Sequence, residues 1–168
     1  KDGTWNIRTE QGDIHTEWVV NAAGLWGREV GKMANIDLPL QPTEHQYFVT
    51  ETIDEIKNLK YRLPSVADRD GEYYLRQEGK GLLIGAYEKN FKLWAEGETP
   101  NNFGHDLFDD DLERIEENVL RAIERVPIAG SAGIKRVING PMIWSPDSNV
   151  LFGTIPEIKN YFCCNGII

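Results

Sequence analysis

Apolar and polar residues alternate from the start of the chain. Thr4-Trp5-Asn6-Ile7-Arg8-Thr9 alternates, Gln11-Gly12-Asp13 supplies turn residues, and Ile14 to Val20 returns toward the dense apolar patch Trp18-Val19-Val20. This pattern predicts a hairpin. After the small residues Asn21-Ala22-Ala23-Gly24, the apolar positions Leu25, Val30 and Met33 predict a helix from Leu25 to Ala34. Pro39 and Pro42 interrupt the chain, and a strand is expected from Glu44 to Glu51. Thr52 and Glu55 have the spacing of a capping box and predict a short helix ending at Leu59. Strands from Glu72 to Gln77 and from Gly81 to Gly85 are expected to pair around Gly79-Lys80-Gly81.

Lys89 to Leu107 is polar and reads as a long surface excursion. Beyond it, Leu112, Ile115, Val119, Ala122, Ile123 and Val126 recur at three- and four-residue spacing, the clearest amphipathic helix in the chain. Asp110 and Glu113 have capping-box spacing at its start, and Pro127 follows its end. Three more strands are expected, from Ile134 to Trp144, Asn149 to Gly153 and Tyr161 to Cys164. One long helix among many strands, without regular alternation, predicts an α+β fold with a mostly antiparallel sheet and packed helices.

Composition narrows the function classes. The 168 residues are 40% hydrophobic, enough for a real core, and the net charge is -9. A chain so acidic lacks the clustered Lys and Arg that a phosphate backbone requires, so a nucleic-acid partner is not expected. No apolar run approaches the roughly 20 residues that cross a bilayer, so no membrane partner is expected. The chain opens without Met and closes on the apolar Gly166-Ile167-Ile168, which reads as an internal piece of a longer protein. The adjacent cysteines Cys163 and Cys164 point to opposite faces of a strand and read as free thiols in a reducing compartment. Asp109-Asp110-Asp111 precedes the long helix and reads as capping and dipole complement, so no metal is expected.

Two stretches carry candidate chemistry. In Trp18-Val19-Val20-Asn21-Ala22-Ala23-Gly24-Leu25-Trp26 a buried strand runs through small residues into a helix, so backbone N–H groups can approach a ligand. On its own such a junction is more often a packing device. In Pro42-Thr43-Glu44-His45-Gln46-Tyr47-Phe48-Val49-Thr50 a proline opens a strand that bears a histidine, a residue that titrates near neutrality.

Together these stretches resemble the flavin-dependent dimethylglycine and sarcosine dehydrogenases and dimethylglycine oxidases of the D-amino-acid oxidase superfamily. The resemblance continues through Tyr73-Tyr74-Leu75-Arg76-Gln77-Glu78, Gly81-Leu82-Leu83-Ile84-Gly85-Ala86-Tyr87-Glu88, Asn139-Gly140-Pro141 and Ser145-Pro146-Asp147. It implies an FAD-dependent oxidoreductase that oxidises an N-methyl amine by hydride transfer to the flavin. His45 falls on the family's active-site histidine and Tyr73 on an active-site tyrosine, with Tyr74 left to packing. Asn21, Ala22, Ala23, Gly24 and Trp26 fall on the stretch lining the flavin nucleotide. Pro146 and Asp147 fall on the loop returning to the flavin, where Ser145 replaces the usual Thr and Leu151 a usual Pro. Arg76 shares a strand face with Tyr74, so it is a weak candidate for holding a substrate carboxylate.

The resemblance also implies a domain plan: residues 1–35 closing an FAD-binding Rossmann-like domain, 36–143 forming a substrate domain, and 144–168 returning to the FAD domain. The G-x-G-x-x-G fingerprint of that FAD domain is missing from the chain, so an incomplete FAD site, inactive alone, is expected. Tetrahydrofolate in the full-length parent, and an electron-transfer flavoprotein or oxygen as acceptor, are further implied possibilities. The expected compartment is bacterial cytoplasm or the mitochondrial matrix. Two alternatives remain: a superfamily oxidase for another amine, and a non-catalytic relative resembling the pyruvate dehydrogenase phosphatase regulatory subunit.

Overall fold

A computed structural model describes residues 3–156 and 158–166; the expected close on Ile167 and Ile168 lies outside the described residues. The chain divides into two compact units, one of residues 1–43, 93–103 and 142–168 and the other of 44–92 and 104–141. The α+β expectation is borne out: in the larger sheet the strand 81–86 runs antiparallel to 41–50 and to 73–78, and 66–68 runs antiparallel to 73–78, with few helices among the described residues.

The first unit holds a hairpin, β1 (Trp5–Thr9) and β2 (Gly12–Thr16), and a sheet of β3 (Val19–Asn21), β9 (Leu151–Thr154) and β10 (Tyr161–Asn165). The sheet order is β3-β10-β9, with β10 parallel to β3 and antiparallel to β9. The expected second strand from Ile14 to Val20 is thus two strands, broken between Thr16 and Val19, where the Thr16 hydroxyl donates to the Trp18 carbonyl. Its core gathers Ile36, Leu38, Leu40, Ile143, Tyr161 and Cys163. Trp5 packs on Tyr161 with ring centroids 5.6 Å apart.

The expected helix begins as a 3-10 turn at Gly24–Trp26 and continues as α1 (Gly27–Met33). Its apolar face is not the predicted one. Met33 is 83% exposed, and α1 buries Gly27, Arg28 and Gly31 instead. A Cβ on Gly31 would lie 2.9 Å from the Ile36 carbonyl oxygen, and one on Gly27 2.5 Å from Asn165 Oδ1. Close approach through glycine replaces side-chain interdigitation here. The polar excursion is docked rather than free: Thr43 bridges to Leu93, Gln41 Nε2 donates to the Trp94 carbonyl at 2.9 Å, and Thr99 Oγ1 donates to the Leu25 carbonyl at 2.8 Å.

The second unit is built on the five-stranded sheet of β4 (Gln41–Thr50), β5 (Val66–Asp68), β6 (Tyr73–Glu78), β7 (Gly81–Ala86) and β8 (Ile134–Trp144), in the order β5-β6-β7-β4-β8. Glu78 pairs with Gly81 across a two-residue turn in which Gly79 takes φ +59°, a conformation glycine adopts without strain. This turn fixes the register that sets Tyr73 opposite Ala86 and Tyr74 opposite Gly85. Phe48, Tyr73, Leu75, Leu82, Ile84 and Ala86 form one face of the sheet and pack with Ile115 and Ala122. The long helix is a 3-10 turn at Leu112–Ile115 followed by α3 (Glu116–Arg125). Burying each large aliphatic side chain of this core contributes about 1.5–3 kcal/mol.

Neither predicted capping box forms. Asp111 precedes the 3-10 turn without a side-chain cap, because its carboxylate pairs with Lys92 at 2.5 Å. The short helix α2 is Asp54–Lys57, preceded by Ile53 rather than capped by Thr52.

Candidate active site

His45 owes its position to its neighbours in β4. Side chains alternate across a strand, so Glu44, Gln46 and Phe48 turn to the helix side while His45 and Tyr47 turn to the other face. Gln46, fully buried, donates through Nε2 to the Asp111 carbonyl at 2.5 Å and accepts from the Asp111 N–H at 3.2 Å. Glu44 receives Arg114 Nη1 at 2.9 Å and Asn139 Nδ2 at 3.2 Å. Both neighbours of His45 are therefore anchored beneath the sheet.

On the opposite face the His45 ring meets two tyrosines. Its Nε2 lies 3.1 Å from Tyr74 Oη. Ring centroids are 5.9 Å from Tyr74 and 5.2 Å from Tyr87, and the two tyrosine rings are 5.3 Å apart. Tyr74 reaches His45 across β7, which presents Gly85 at the crossing. A Cβ there would collide with Cζ and Oη of Tyr74.

The structure brings Tyr74, not Tyr73, to His45. Tyr73, expected at the site, is 1% exposed and lies in the core with Leu75 and Ala86. Tyr74, expected to pack, is the one against His45. The signal was in the sequence: Tyr73 shares a face with Leu75, and Tyr74 with Arg76, so the apolar partner marks the core side. Burial and the neighbouring Asp68 carboxylate raise the Tyr73 phenol, and its oxygen makes no hydrogen bond of good geometry. Arg76 is held by Glu78 at 2.5 Å. His15 and His105 are exposed.

Burial, reinforced by the Arg114 guanidinium, lowers His45 from 6.5 to about 4. Tyr74 is pushed above its ordinary value, chiefly by burial and then by Tyr87 and Tyr47. At neutral pH the pair is thus an uncharged imidazole against a protonated phenol. Such a phenol donates to Nε2 when that nitrogen is bare and accepts when it carries the ring proton, so the hydrogen bond can run in either direction.

The residues expected at the flavin converge on the first unit's parallel strand pair. Asn21 ends β3, and Asn165 ends β10 and donates through Nδ2 to the Asn21 carbonyl at 2.8 Å. A Cβ on Gly166 would lie 3.6 Å from the Asn149 carbonyl oxygen and 3.7 Å from Ser145 Cβ, which brings the 145–149 loop to the same end. The carboxyl ends of parallel strands are where open α/β sheets bind ligands. Asn21 itself is 1% exposed. Its Nδ2 donates to the Gly27 carbonyl at 2.8 Å and its Oδ1 accepts from the Ala23 N–H at 3.2 Å. Its side chain is thus consumed in shaping the turn. Ala22 and Gly24 are exposed, and the Cβ position at Gly24 (φ +54°) meets nothing within 4 Å. The turn therefore offers open backbone, which suits close approach of a dinucleotide. Trp26 Nε1 donates to the Pro100 carbonyl at 3.2 Å. Pro146 and Asp147 are exposed. Asp147 accepts from Ser145 Oγ at 3.0 Å and the Asn149 N–H at 3.1 Å, and these bonds lower its carboxyl. No cluster of His, Cys, Asp or Glu suited to a metal occurs among the described residues. Cys163 is buried and Cys164 half-buried, and both are free.

Comparison with known proteins places this geometry. The family model described as "FAD dependent oxidoreductase" matches residues 1–167. The chain is 46% identical over 170 residues to the mitochondrial dimethylglycine dehydrogenase of Rattus norvegicus, covering 98% of the chain and 20% of that protein. It is 40% identical over 156 residues to the mitochondrial sarcosine dehydrogenase of Homo sapiens, covering 93% of the chain and 16% of that protein. The solved L-proline dehydrogenase from P. horikoshii superposes with a TM-score of 0.73 at 27% identity, covering 96% of this chain and 40% of that one. The chain thus spans about a fifth of the length of these curated relatives.

Proposed function

Because the chain belongs to the FAD dependent oxidoreductase family, we propose that it forms the amine-binding side of a flavin site and part of the flavin cradle in an enzyme oxidising an N-methyl amine such as dimethylglycine or sarcosine. The observation that carries this is the 3.1 Å contact between His45 Nε2 and Tyr74 Oη, with neither group charged at neutral pH. FAD, when bound, supplies the hydride acceptor. The chain's residues prepare the amine. A protonated amine has no lone pair to assist loss of hydride from its methyl carbon, so it must first give up a proton. Desolvation of the amine against His45 and Tyr74 would disfavour the ammonium form, and His45 with Tyr74 relays the released proton. With its basicity depressed, His45 does not retain that proton, which goes on to solvent.

Ala22 and Gly24 would hold the dinucleotide through their exposed backbone, with Ala23, whose N–H is taken by Asn21, and Trp26 beside them. Asn21 acts indirectly by fixing the turn, and Pro146 and Asp147 shape the returning loop. Two extensions belong to the same proposal: passage of the released one-carbon unit to tetrahydrofolate, and reoxidation of the flavin by an electron-transfer flavoprotein or oxygen. The mitochondrial names of the relatives favour the matrix if the source is eukaryotic. No helix among the described residues is long and apolar enough to cross a membrane.

The test is anaerobic mixing of the full-length, FAD-loaded protein with dimethylglycine or sarcosine, alongside His45→Ala. Rapid bleaching of the flavin band, lost in the variant, is the expected result. A flavin that neither amine reduces would overturn the substrate assignment.

A further inference from the structure

Beneath His45, on the helix side of the sheet, lies a polar group that the chemistry above does not use. Arg114, in the 3-10 turn before α3, has a side chain only 6% exposed. Its Nη1 lies 2.9 Å from Glu44 and 3.7 Å from Asp111, and its Nε lies 2.9 Å from Glu88. Continuing the Tyr47–Gly85 register toward the start of β4 carries His45 to the level of Tyr87 and Glu44 to the level of Glu88. Two carboxylates facing each other across strands repel, and here one guanidinium lies against both. Glu44 precedes His45 and Glu88 follows Tyr87, so the groups gripped below the sheet are the chain neighbours of the rings stacked above it.

We propose that Arg114 is a positioning residue for His45: by clamping Glu44 and Glu88 together it fixes the His45–Tyr87 stack and the reach of His45 Nε2 to Tyr74. The proposal rests on the proton-relay role assigned to His45 above. Tyr74 faces the imidazole from β6 and Tyr87 from the segment after β7; Glu44 adjoins it in β4, Arg76 and Glu88 bear on Tyr74, and Asp111 with Lys92 flanks Arg114. Among these, the cation that disfavours a protonated His45 is Arg114. A buried ion pair serving the fold alone would hold the strands equally well, and would act on the His45 titration through its charge alone, leaving flavin reduction in Arg114→Lys at the parent rate.

The two roles separate by experiment on the full-length, FAD-loaded protein with isotope-labelled histidine, the His45 resonance being identified by its loss in His45→Gln. Arg114→Met combined with Glu88→Gln removes the guanidinium together with the deeply buried Glu88 carboxylate it would otherwise strand; Arg114→Lys keeps the charge and loses the planar fork. In the double variant the His45 titration should move upward by at least about half a pH unit, and amine-dependent flavin reduction should fall by about tenfold or more. In Arg114→Lys the titration should return toward that of the parent while reduction stays slow. A folded, flavin-loaded double variant whose His45 titrates as in the parent, or an Arg114→Lys variant that reduces flavin at the parent rate, would overturn the proposal. The titration is read without amine, so it can overturn the role of Arg114 even if no amine reduces the flavin, an outcome that would instead overturn the functional assignment.

Discussion

Tyr74 and His45 meet at 3.1 Å although β7 lies between their strands. Neighbouring strands are about 4.8 Å apart, so a side chain two strands away can be met only if the strand between presents nothing in the path. Gly85 is paired with both Tyr74 and Tyr47 at this crossing, and the Tyr74 ring occupies the space its missing side chain leaves.

Gly85→Ala should therefore separate stability from function. The Gly85 backbone is not in the left-handed region, so alanine is allowed, and the clash is with the far end of one flexible ring. The stability cost should be about 1–3 kcal/mol, leaving the protein folded. Displacing that ring breaks its contact with His45, so amine-dependent flavin reduction should fall at least tenfold, on the scale of a misplaced catalytic group. Thermal melting and stopped-flow reduction on the same sample measure both. Unchanged reduction would mean that the Tyr74–His45 contact does not matter.

The adjacent tyrosines give a paired test. Tyr74→Phe removes the hydroxyl that meets Nε2 and should slow flavin reduction by about 10²-fold or more, with a small effect on stability. Tyr73→Phe removes a buried hydroxyl near Asp68, on the other face of the strand, and should leave reduction within about twofold, since such a surface-remote change acts only through packing. The reverse ranking would restore Tyr73 to the site.

How much of this was legible in the sequence follows from what each residue's surroundings depend on. The positions of most strands, the long helix and the α+β class rest on local periodicity, and the period survives folding. The His45 strand was legible for the same reason. The choice of Tyr74 over Tyr73 was legible in principle, since Leu75 marks the core side of β6. The buried face of α1 was not, because Gly27 and Gly31 carry no hydrophobic signal and their use depends on Asn165, Ile36 and Leu38 coming close. Arg114 was invisible for a similar reason: its carboxylate partners Glu44 and Glu88 are distant in sequence and meet it only across the folded sheet.

Asn21, expected to touch the cofactor, spends its side chain on bracing the turn that follows β3. Asn21→Ala would strand the Gly27 carbonyl and the Ala23 N–H in a buried setting, at a cost of about 1–3 kcal/mol. FAD affinity should fall with it, through the reshaped turn. Asn21→Asp keeps the acceptor for Ala23 but loses the donor to Gly27 and adds a buried charge, so it should be no better than alanine. Flavin release followed by fluorescence, with melting temperature, measures the two effects. A variant that loses FAD affinity at unchanged stability would point instead to direct contact.

The depressed basicity of His45 fixes a pH dependence whose sign can be worked out. The folded protein holds His45 at about 4 and the unfolded chain near 6.5, so between these values the unfolded chain binds more protons. Stability tied to His45 is complete above about pH 6.5 and is lost as pH falls toward 4, by up to about 3 kcal/mol. Asp68, Asp111 and Asp147, whose carboxyls are also lowered, lose stability on acidification too, but they are common to parent and variant. The excess stability of the parent over His45→Gln should therefore shrink steadily from pH 6.5 to 4. The acid limb of flavin reduction assigned to His45 should lie near pH 4, not near 6.5. A limb near 6.5, with a parent–variant stability difference flat across that window, would show that His45 is solvated like an ordinary histidine and would remove the physical basis for its neutrality in the relay.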